Sequence, residues 1–368
     1  MREVVEVHSG KDLNDFIELP STLHANDPLY VRPLTKEMQK HFSDQNPFFL
    51  HANARYFLAK RNGRSEGRIV SIVNRRHIES HDERCGFFGF FESADDDETA
   101  SSLLDKVSVV LREEGMELMR GPMNFSTNEE CGFLFDGFDS PPLLMTPYNP
   151  PYYNDLMQRY GMQKAKDLFA YILDVPEELP KKILRVAEIA VKSGIRVRSV
   201  DMKNFTHDMM IFKDVYNSAW GKNWGFIPLT DEELVYLGNS LKPVVVPEMI
   251  LIAEKENEPV GFMGLLPDYN FVLKHMNGKI TPLSIIKALY YSKKIKDLRM
   301  LLLGIKPEYR ARGVDALLFR EGFRGVKKGG YTRVEFSWIL EDNIPVQRLV
   351  EMIGGRVYKK YRIYEKRL

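Results

Sequence analysis

The chain has very little cysteine. Of its 368 residues only Cys85 and Cys131 are cysteines, and neither sits in a Cys-x-x-Cys pair. Zinc-ribbon and thioredoxin-like chemistry therefore lack their ligands, and two reduced, half-buried thiols are expected. Net charge is equally scarce, at +1 from 52 basic and 51 acidic side chains. That balance gives no polyelectrolyte signature for nucleic acid, so no nucleic-acid partner is expected. No apolar run approaches the ~20 residues that span a bilayer. The start, Met1-Arg2-Glu3-Val4-Val5-Glu6-Val7-His8, lacks the apolar core of a signal peptide. A cytoplasmic protein is the expectation. The length and 44% hydrophobic content are enough for two ordinary α/β domains.

Hydrophobic periodicity lays out two series of elements. In the first, residues 3–8 alternate like a strand and Asp12–Leu23 reads as a helix. Strands at Arg55–Lys60 and Arg68–Asn74 flank the hairpin signal Asn62-Gly63. A strand at Cys85–Phe91 is followed by a helix over Glu98–Glu114, and Leu168–Leu173 is a further strand. Then comes an amphipathic helix at Lys181–Lys192. The second series has a strand at Ile195–Val200, a helix at Phe205–Trp220, and strands at Met249–Glu254, Val260–Leu266 and Leu298–Ile305. It continues with a helix at Val314–Lys328, a strand at Tyr331–Ile339, a helix at Pro345–Ile353 and a last strand at Val357–Lys366. The domain boundaries expected are 1–175, a linker helix at 176–192, and 193–368.

The most informative stretch joins the strand ending at Ile305 to the helix opening at Val314. Arg310-Ala311-Arg312-Gly313 at that junction would aim unpaired backbone N–H groups outward from a helix N-terminus, where both the amides and the helix dipole favour a phosphate. The pattern resembles the acyl-CoA motif of the GNAT superfamily of N-acyltransferases, Arg/Gln-x-x-Gly-x-Gly/Ala. Arg310 and Gly313 match it, and Asp315 replaces the final small residue. Downstream, Asn343 opens a helix that closes at Gly354, as in the family. The resemblance is carried by residues 246–368 and extends to the first half by element order alone. It implies two tandem GNAT-like α/β domains with mixed sheets, the first without a CoA loop.

The resemblance also implies an acyl-CoA co-substrate and no metal. The cofactor contacts would be Ile305, Arg310, Arg312, Gly313, Val314 and Asn343. A backbone N–H near Gly304-Ile305 would meet the thioester oxygen. Glu248 and Glu335 are the candidate bases. Val350 stands where many relatives carry the tyrosine that protonates the leaving thiolate, so the thiolate would leave unassisted or take its proton from another acid, with Tyr358, Tyr361 and Tyr364 as candidates. A carboxylate at Asp315 would repel phosphate by ~1 kcal/mol at 4 Å in water, while stabilising the helix dipole by ~0.3–1 kcal/mol.

In the first half, Glu92-Ser93-Ala94-Asp95-Asp96-Asp97-Glu98 replaces the loop with carboxylates. The segment Arg120–Glu130 could line a cleft with Asn124, Ser126, Asn128 and Glu129. Thr146–Tyr153 and Trp220–Phe226 read better as rigid turns with aromatic anchors. His77-Ile78-Glu79-Ser80-His81 reads as a solvated loop rather than a metal site. A helix-like insert at Thr281–Tyr291, flanked by Lys287, Lys293, Lys294 and Lys296, is either packed on the core or set to shield an acyl chain or touch lipid.

The segments Arg120–Asn128 and Tyr148–Tyr153 extend the resemblance to a bacterial family of paired GNAT-like proteins, some of which look like ceramide synthases. That implies transfer of an acyl group to a small-molecule or lipid amine, such as a long-chain sphingoid amine; the lysine-rich apolar insert adds peripheral membrane contact as a further expectation. Two alternatives stand beside it: a binding protein with a decayed acyl-CoA site, and an aminoacyl ligase resembling the Fem family.

Overall fold

The computed structural model describes residues 2–8, 10–221 and 223–368. The chain forms two compact units. One comprises the chain up to Leu168 together with Asn270–Tyr290 and Lys359–Leu368; the other comprises Phe169–Tyr269 and Tyr291–Tyr358. The units are thus built from interleaved segments, where the sequence reading expected one crossing between 175 and 193.

In the first unit the strands Arg2–Val7, Ala52–Arg61, Arg64–Asn74 and Cys85–Ser93 pair antiparallel in that order. Cys85–Ser93 then pairs in parallel with Leu118–Gly121, which is joined by the end of the terminal strand through Tyr364↔Gly121. The second unit repeats this order. Ile195–Ser199, Ile250–Lys255, Glu258–Pro267 and Asp297–Ile305 are antiparallel, Asp297–Ile305 is parallel to Arg333–Leu340, and the later part of Gln163–Asp174 lies beside that strand. Each sheet therefore takes its sixth strand from the opposite half of the chain. Strand pairing between segments so far apart leaves no local sequence signal.

Helix Asp97–Glu113 covers the first sheet, with Leu103, Leu104, Val107 and Leu111 fully buried against Phe57, Ile69 and Phe88. Their 3–4-residue spacing is one helical face. Helix Val314–Gly329 does the same in the second unit. Its Val314, Leu317, Leu318 and Val326 meet Leu251, Val260, Met263, Leu298, Met300 and Val334. Each such side chain contributes about 1.5–3 kcal/mol on burial. Helix Lys181–Lys192, read with the same bounds from sequence, buries Ile183, Ala187 and Ala190, and its C-terminus turns at Gly194, where φ is +87°.

Four helices differ from or add to the sequence reading. Arg75–His81 is helical, and His77 is buried at its inner face, so the solvated loop expected there is incorrect. Thr35–His41 and Asn270–Met276 are short helices. Asp231–Leu241 opens with a reciprocal cap between Thr230 and Glu233, a signal present in the sequence.

Candidate functional site

The second unit's parallel strand pair opens partway along its length. Register holds from Asp297↔Arg333 to Met300↔Phe336 and ends there. On its other edge, Asp297–Ile305 stays paired to Glu258–Pro267 as far as Ile305, with a bulge that leaves Leu301 unmatched. Beyond Met300, backbone groups of the motif strand therefore face a gap instead of a ladder. Ligands of open α/β sheets bind outside the carboxyl ends of parallel strands. The 306–313 loop and Asn343 both follow such ends.

After the turn Pro307–Tyr309, Ala311 (φ +58°) and Gly313 (φ +79°) both adopt left-handed conformations. Gly313 is the helix N-cap, and no side chain caps the helix. Only glycine fits position 313: a Cβ there would lie 2.7 Å from the Val186 carbonyl oxygen and 2.9 Å from Val186 Cγ1 of helix Lys181–Lys192.

Arg310 and Arg312 are exposed, and among the described residues neither is paired with a carboxylate. Arg310 Nη2 donates to the Ala219 carbonyl at 2.7 Å, at the C-terminal end of helix Phe205–Trp220. The Arg312 guanidinium lies 5.2 Å from the Tyr309 ring centroid. Asp315 is half-buried in the helix's first turn. Ile305, Arg310, Arg312, Gly313 and Val314 thus lie at or just after the carboxyl end of strand Asp297–Ile305, and Asn343 follows the carboxyl end of Arg333–Leu340. Asn343 is the N-cap of helix Ile344–Met352 but its side chain makes no capping bond.

Trp220, read from the sequence as an aromatic anchor of a rigid turn, lies against the motif strand. Its ring occupies the space a Cβ on Gly304 would need, at 2.3 Å. Tyr216, Phe226, Phe212 and Phe262 continue the aromatic stack behind it. Of the segment Trp220–Phe226, in which Lys222 lies outside the described residues, Trp220 packs over the motif strand and Phe226 against Tyr216.

Two of the three candidate catalytic residues lie together. Leu298 and Met300 face the helix-covered core, so Arg299 projects from the opposite face of the strand. There Arg299 Nε lies 3.5 Å from Glu335 Oε1 and donates to Ser337 Oγ at 2.7 Å. Ser337 Oγ donates to Glu335 at 2.5 Å and the Tyr358 hydroxyl donates to the other carboxylate oxygen. Glu335 is fully buried, one residue before the strands separate.

Glu248 is elsewhere. It is exposed on the turn Pro247–Met249, 3.9 Å from Lys328, and its carbonyl packs at Gly325. Gly325 is twelve residues from Gly313, or about 18 Å along the helix axis. Tyr361 and Tyr364 are buried in the first unit, where Tyr364 donates to Asn154 at 2.9 Å. Val350 is a core residue packed against Gly355.

The first unit repeats the strand opening but closes it with its own groups. Its parallel register ends at Phe87↔Arg120. Beyond that point the Phe90 N–H, held at φ +49°, donates to Asn124 Oδ1 at 2.7 Å. Helix Asp97–Glu113 is capped by Asp96, whose carboxylate accepts from Thr99 N at 2.8 Å, with Asp97 and Glu98 in the first turn. Ser126 Oγ accepts from Asn128 N at 3.2 Å, and Glu129 accepts from Phe125 N at 3.3 Å.

Glu129 also meets His41 Nε2 at 3.3 Å, a partner that sequence spacing gave no means of finding. Burial disfavours the His41 cation, but the charge of Glu129 and its hydrogen bond outweigh burial and raise the pKa above 6.5. In the Thr146–Tyr153 segment, Asn149 accepts from Leu134 N at 2.6 Å and Tyr152 donates to the Ser93 carbonyl, the bonds of a rigid turn.

His77, Glu83 and Cys85 bring three metal-ligand types within 4.8 Å. Both Glu83 oxygens accept from Arg120 at 2.8 Å, which occupies the carboxylate with a cation. Burial is the main cause that lowers the His77 pKa to about 4 and raises that of Cys85 to about 12. An apolar cavity of about 30 Å³, lined by Leu173, Met263, Met300, Phe319, Phe323 and Ile353 among others, lies on the helix-covered face of the second sheet. It has room for little more than one water and does not reach Ile305.

No family model matches the chain. Comparison with solved structures finds a tandem GNAT protein from the clavulanic acid biosynthesis pathway, with a TM-score of 0.60 at 10% identity, covering 100% of this chain and 98% of that one. A GCN5-related N-acetyltransferase from Sphaerobacter thermophilus gives a TM-score of 0.54 at 13% identity, covering 99% and 95%. The fold is the tandem GNAT fold. Among curated proteins, the chain is 32% identical over 363 residues to protein YghO of Escherichia coli strain K12, covering 97% of this chain and 93% of that one. It is 34% identical over 373 aligned positions to a bacterial ceramide synthase of Caulobacter vibrioides, covering 99% and 97%. End-to-end similarity at that level, on a tandem GNAT fold, makes this chain a member of the bacterial ceramide synthase family.

Proposed function

We propose that the second unit binds an acyl-CoA thioester at the Arg310–Val314 loop and transfers its acyl group to a primary amine of the long-chain, sphingoid class. The observation that carries this reading is the uncapped start of helix Val314–Gly329. Two left-handed residues precede it, and two exposed guanidiniums flank it without carboxylate partners. Those features suit a pyrophosphate. The name of the Caulobacter relative supports the choice of amine.

In the reaction the amine nitrogen attacks the thioester carbonyl. A C–N bond forms, the C–S bond breaks, the CoA thiolate leaves, and the nitrogen sheds a proton. The gap past Met300 offers main-chain donors to the carbonyl oxygen. Trp220 would wall the thioester over Gly304. Among the candidate bases, Glu335 with Tyr358 is favoured over Glu248 by its position where the strands part. Tyr358, already hydrogen-bonded to that carboxylate, is the reading's proton donor to the thiolate. The first unit takes no CoA in this reading, because Asp96 and Asn124 fill the positions an incoming cofactor would need.

The experiment incubates the protein with palmitoyl-CoA and sphinganine, following free thiol and the amide by mass spectrometry. Amide formed in step with thiol supports the reading. Binding without turnover of the amine would favour the non-catalytic alternative, to which Asp315 and Val350 lend support.

A further inference from the structure

Helix Pro282–Ser292 is turned inside out. Pro282 occupies its first turn, and Thr281 and Ser284 exchange hydrogen bonds across its start: Thr281 N to Ser284 Oγ at 2.7 Å and Ser284 N to Thr281 Oγ1 at 3.1 Å. Ser284 is its buried residue, whereas Leu283 (63% exposed), Ile286 (64%) and Leu289 (64%) stand in solvent with Ile285 and Tyr290. At about 100° per residue these five large side chains occupy one continuous arc of roughly 160°, bordered by Lys287. A helix that packs on a core places its apolar arc inward, so the packed-helix alternative for this insert does not hold.

The chain around this face is also charged with one sign. Between Asp268 and Asp297 lie six lysines (Lys274, Lys279, Lys287, Lys293, Lys294 and Lys296) and no acidic residue, in a protein whose overall charge is +1. Ile280, 47% exposed, extends the apolar surface just before the helix. Exposed large apolar side chains on a lysine-rich segment without acidic residues match an anionic phospholipid surface, where the apolar arc enters the headgroup boundary and ammonium groups such as that of Lys287 meet phosphates. The helix is 11 residues long, about 16 Å, against roughly 30 Å of bilayer hydrocarbon. It fits lying on the surface. No helix among the described residues is long and apolar enough to cross a membrane.

We infer that Ile280–Lys294 is a docking surface for an anionic phospholipid bilayer. The inference stands on exposure and charge alone and holds whether or not the acceptor amine is a lipid.

The full-length protein is sedimented with vesicles of equal parts phosphatidylglycerol and phosphatidylcholine, and separately with phosphatidylcholine alone. The protein partitions to the anionic vesicles, and salt weakens that partition. Ile286→Glu with Leu289→Glu lowers it about tenfold or more. Lys287→Glu with Lys293→Glu lowers it at low salt and removes most of the salt dependence. Thermal melts confirm that the variants fold, and both positions of the first pair are exposed. Wild-type protein left in the supernatant with anionic vesicles would overturn the inference, as would unaltered partition of the Ile286→Glu, Leu289→Glu variant. Dimerisation abolished by that variant, without vesicle binding by wild type, would equally overturn it and assign the face to a second copy of the chain.

Discussion

Replacing Gly313 by alanine isolates the tightest contact at the candidate site. Its φ of +79° costs an L-residue roughly 1–2 kcal/mol. The added Cβ would then lie 2.7 Å from the Val186 carbonyl oxygen. That atom is helix backbone and cannot swing aside, so helix Lys181–Lys192 must shift by a few tenths of an ångström. Overpacking of this kind costs about 1–3 kcal/mol. Gly313→Ala should therefore destabilise the second unit by about 2–5 kcal/mol, a large share of a typical domain's stability. Gly194→Ala is the control: its φ is +87°, with nothing within 4 Å of the new Cβ, so it carries the backbone penalty alone. Urea unfolding followed by tryptophan fluorescence measures both. Equal losses in the two variants would refute the claim that Gly313 is required by packing against Val186. The same geometry makes any Gly313 substitution ambiguous as a binding test, since it strains the fold and the loop together.

Four further outcomes follow from named contacts. Asp315→Ala should tighten CoA binding by several-fold in calorimetry, because a first-turn carboxylate opposes phosphate, while costing about 0.3–1 kcal/mol of helix stability. Tyr358→Phe removes one donor from buried Glu335 and should cost about 1–3 kcal/mol in urea unfolding; if Tyr358 also protonates the thiolate, kcat falls while KM holds. In an NMR titration His41 should release its proton above pH 6.5, whereas His77 stays neutral down to about pH 4. The raised His41 value stabilises the fold below pH 6.5, and that contribution is lost as pH rises through the folded pKa. The depressed His77 value acts the other way, weakening the fold as pH falls below 6.5. Gly304→Ala should displace the Trp220 ring, a movable side-chain end, and shift tryptophan emission with a stability loss of about 1–3 kcal/mol.

Much of the fold was legible because its signals are local. The Asn62-Gly63 turn, the apolar faces of Lys181–Lys192 and Phe205–Trp220, and the strand–loop–helix at Leu298–Lys328 each declare themselves within a short window. The acidic run before Thr99 also had a local meaning: Asp96 is the helix cap. What escaped is non-local. The exchange of sixth strands depends on pairings such as Tyr364↔Gly121. The His41–Glu129 contact joins residues far apart in sequence. Glu248 looked suitable as a residue type but lies near the far end of the helix, and Trp220 looked like packing until its ring was found over Gly304. The direction of the Pro282–Ser292 face could not be read from composition, since buried and exposed apolar helices share it.

The most direct measurement is a calorimetric titration of the full-length protein with acetyl-CoA and palmitoyl-CoA, beside the Arg310→Glu, Arg312→Glu double variant. The account predicts that wild type binds palmitoyl-CoA more tightly than acetyl-CoA. It predicts that the variant melts at nearly the wild-type temperature but binds both at least about tenfold more weakly, since two charge-assisted phosphate contacts become repulsive. Folded wild-type protein that binds neither thioester, or a double variant that binds as well as wild type, would contradict it.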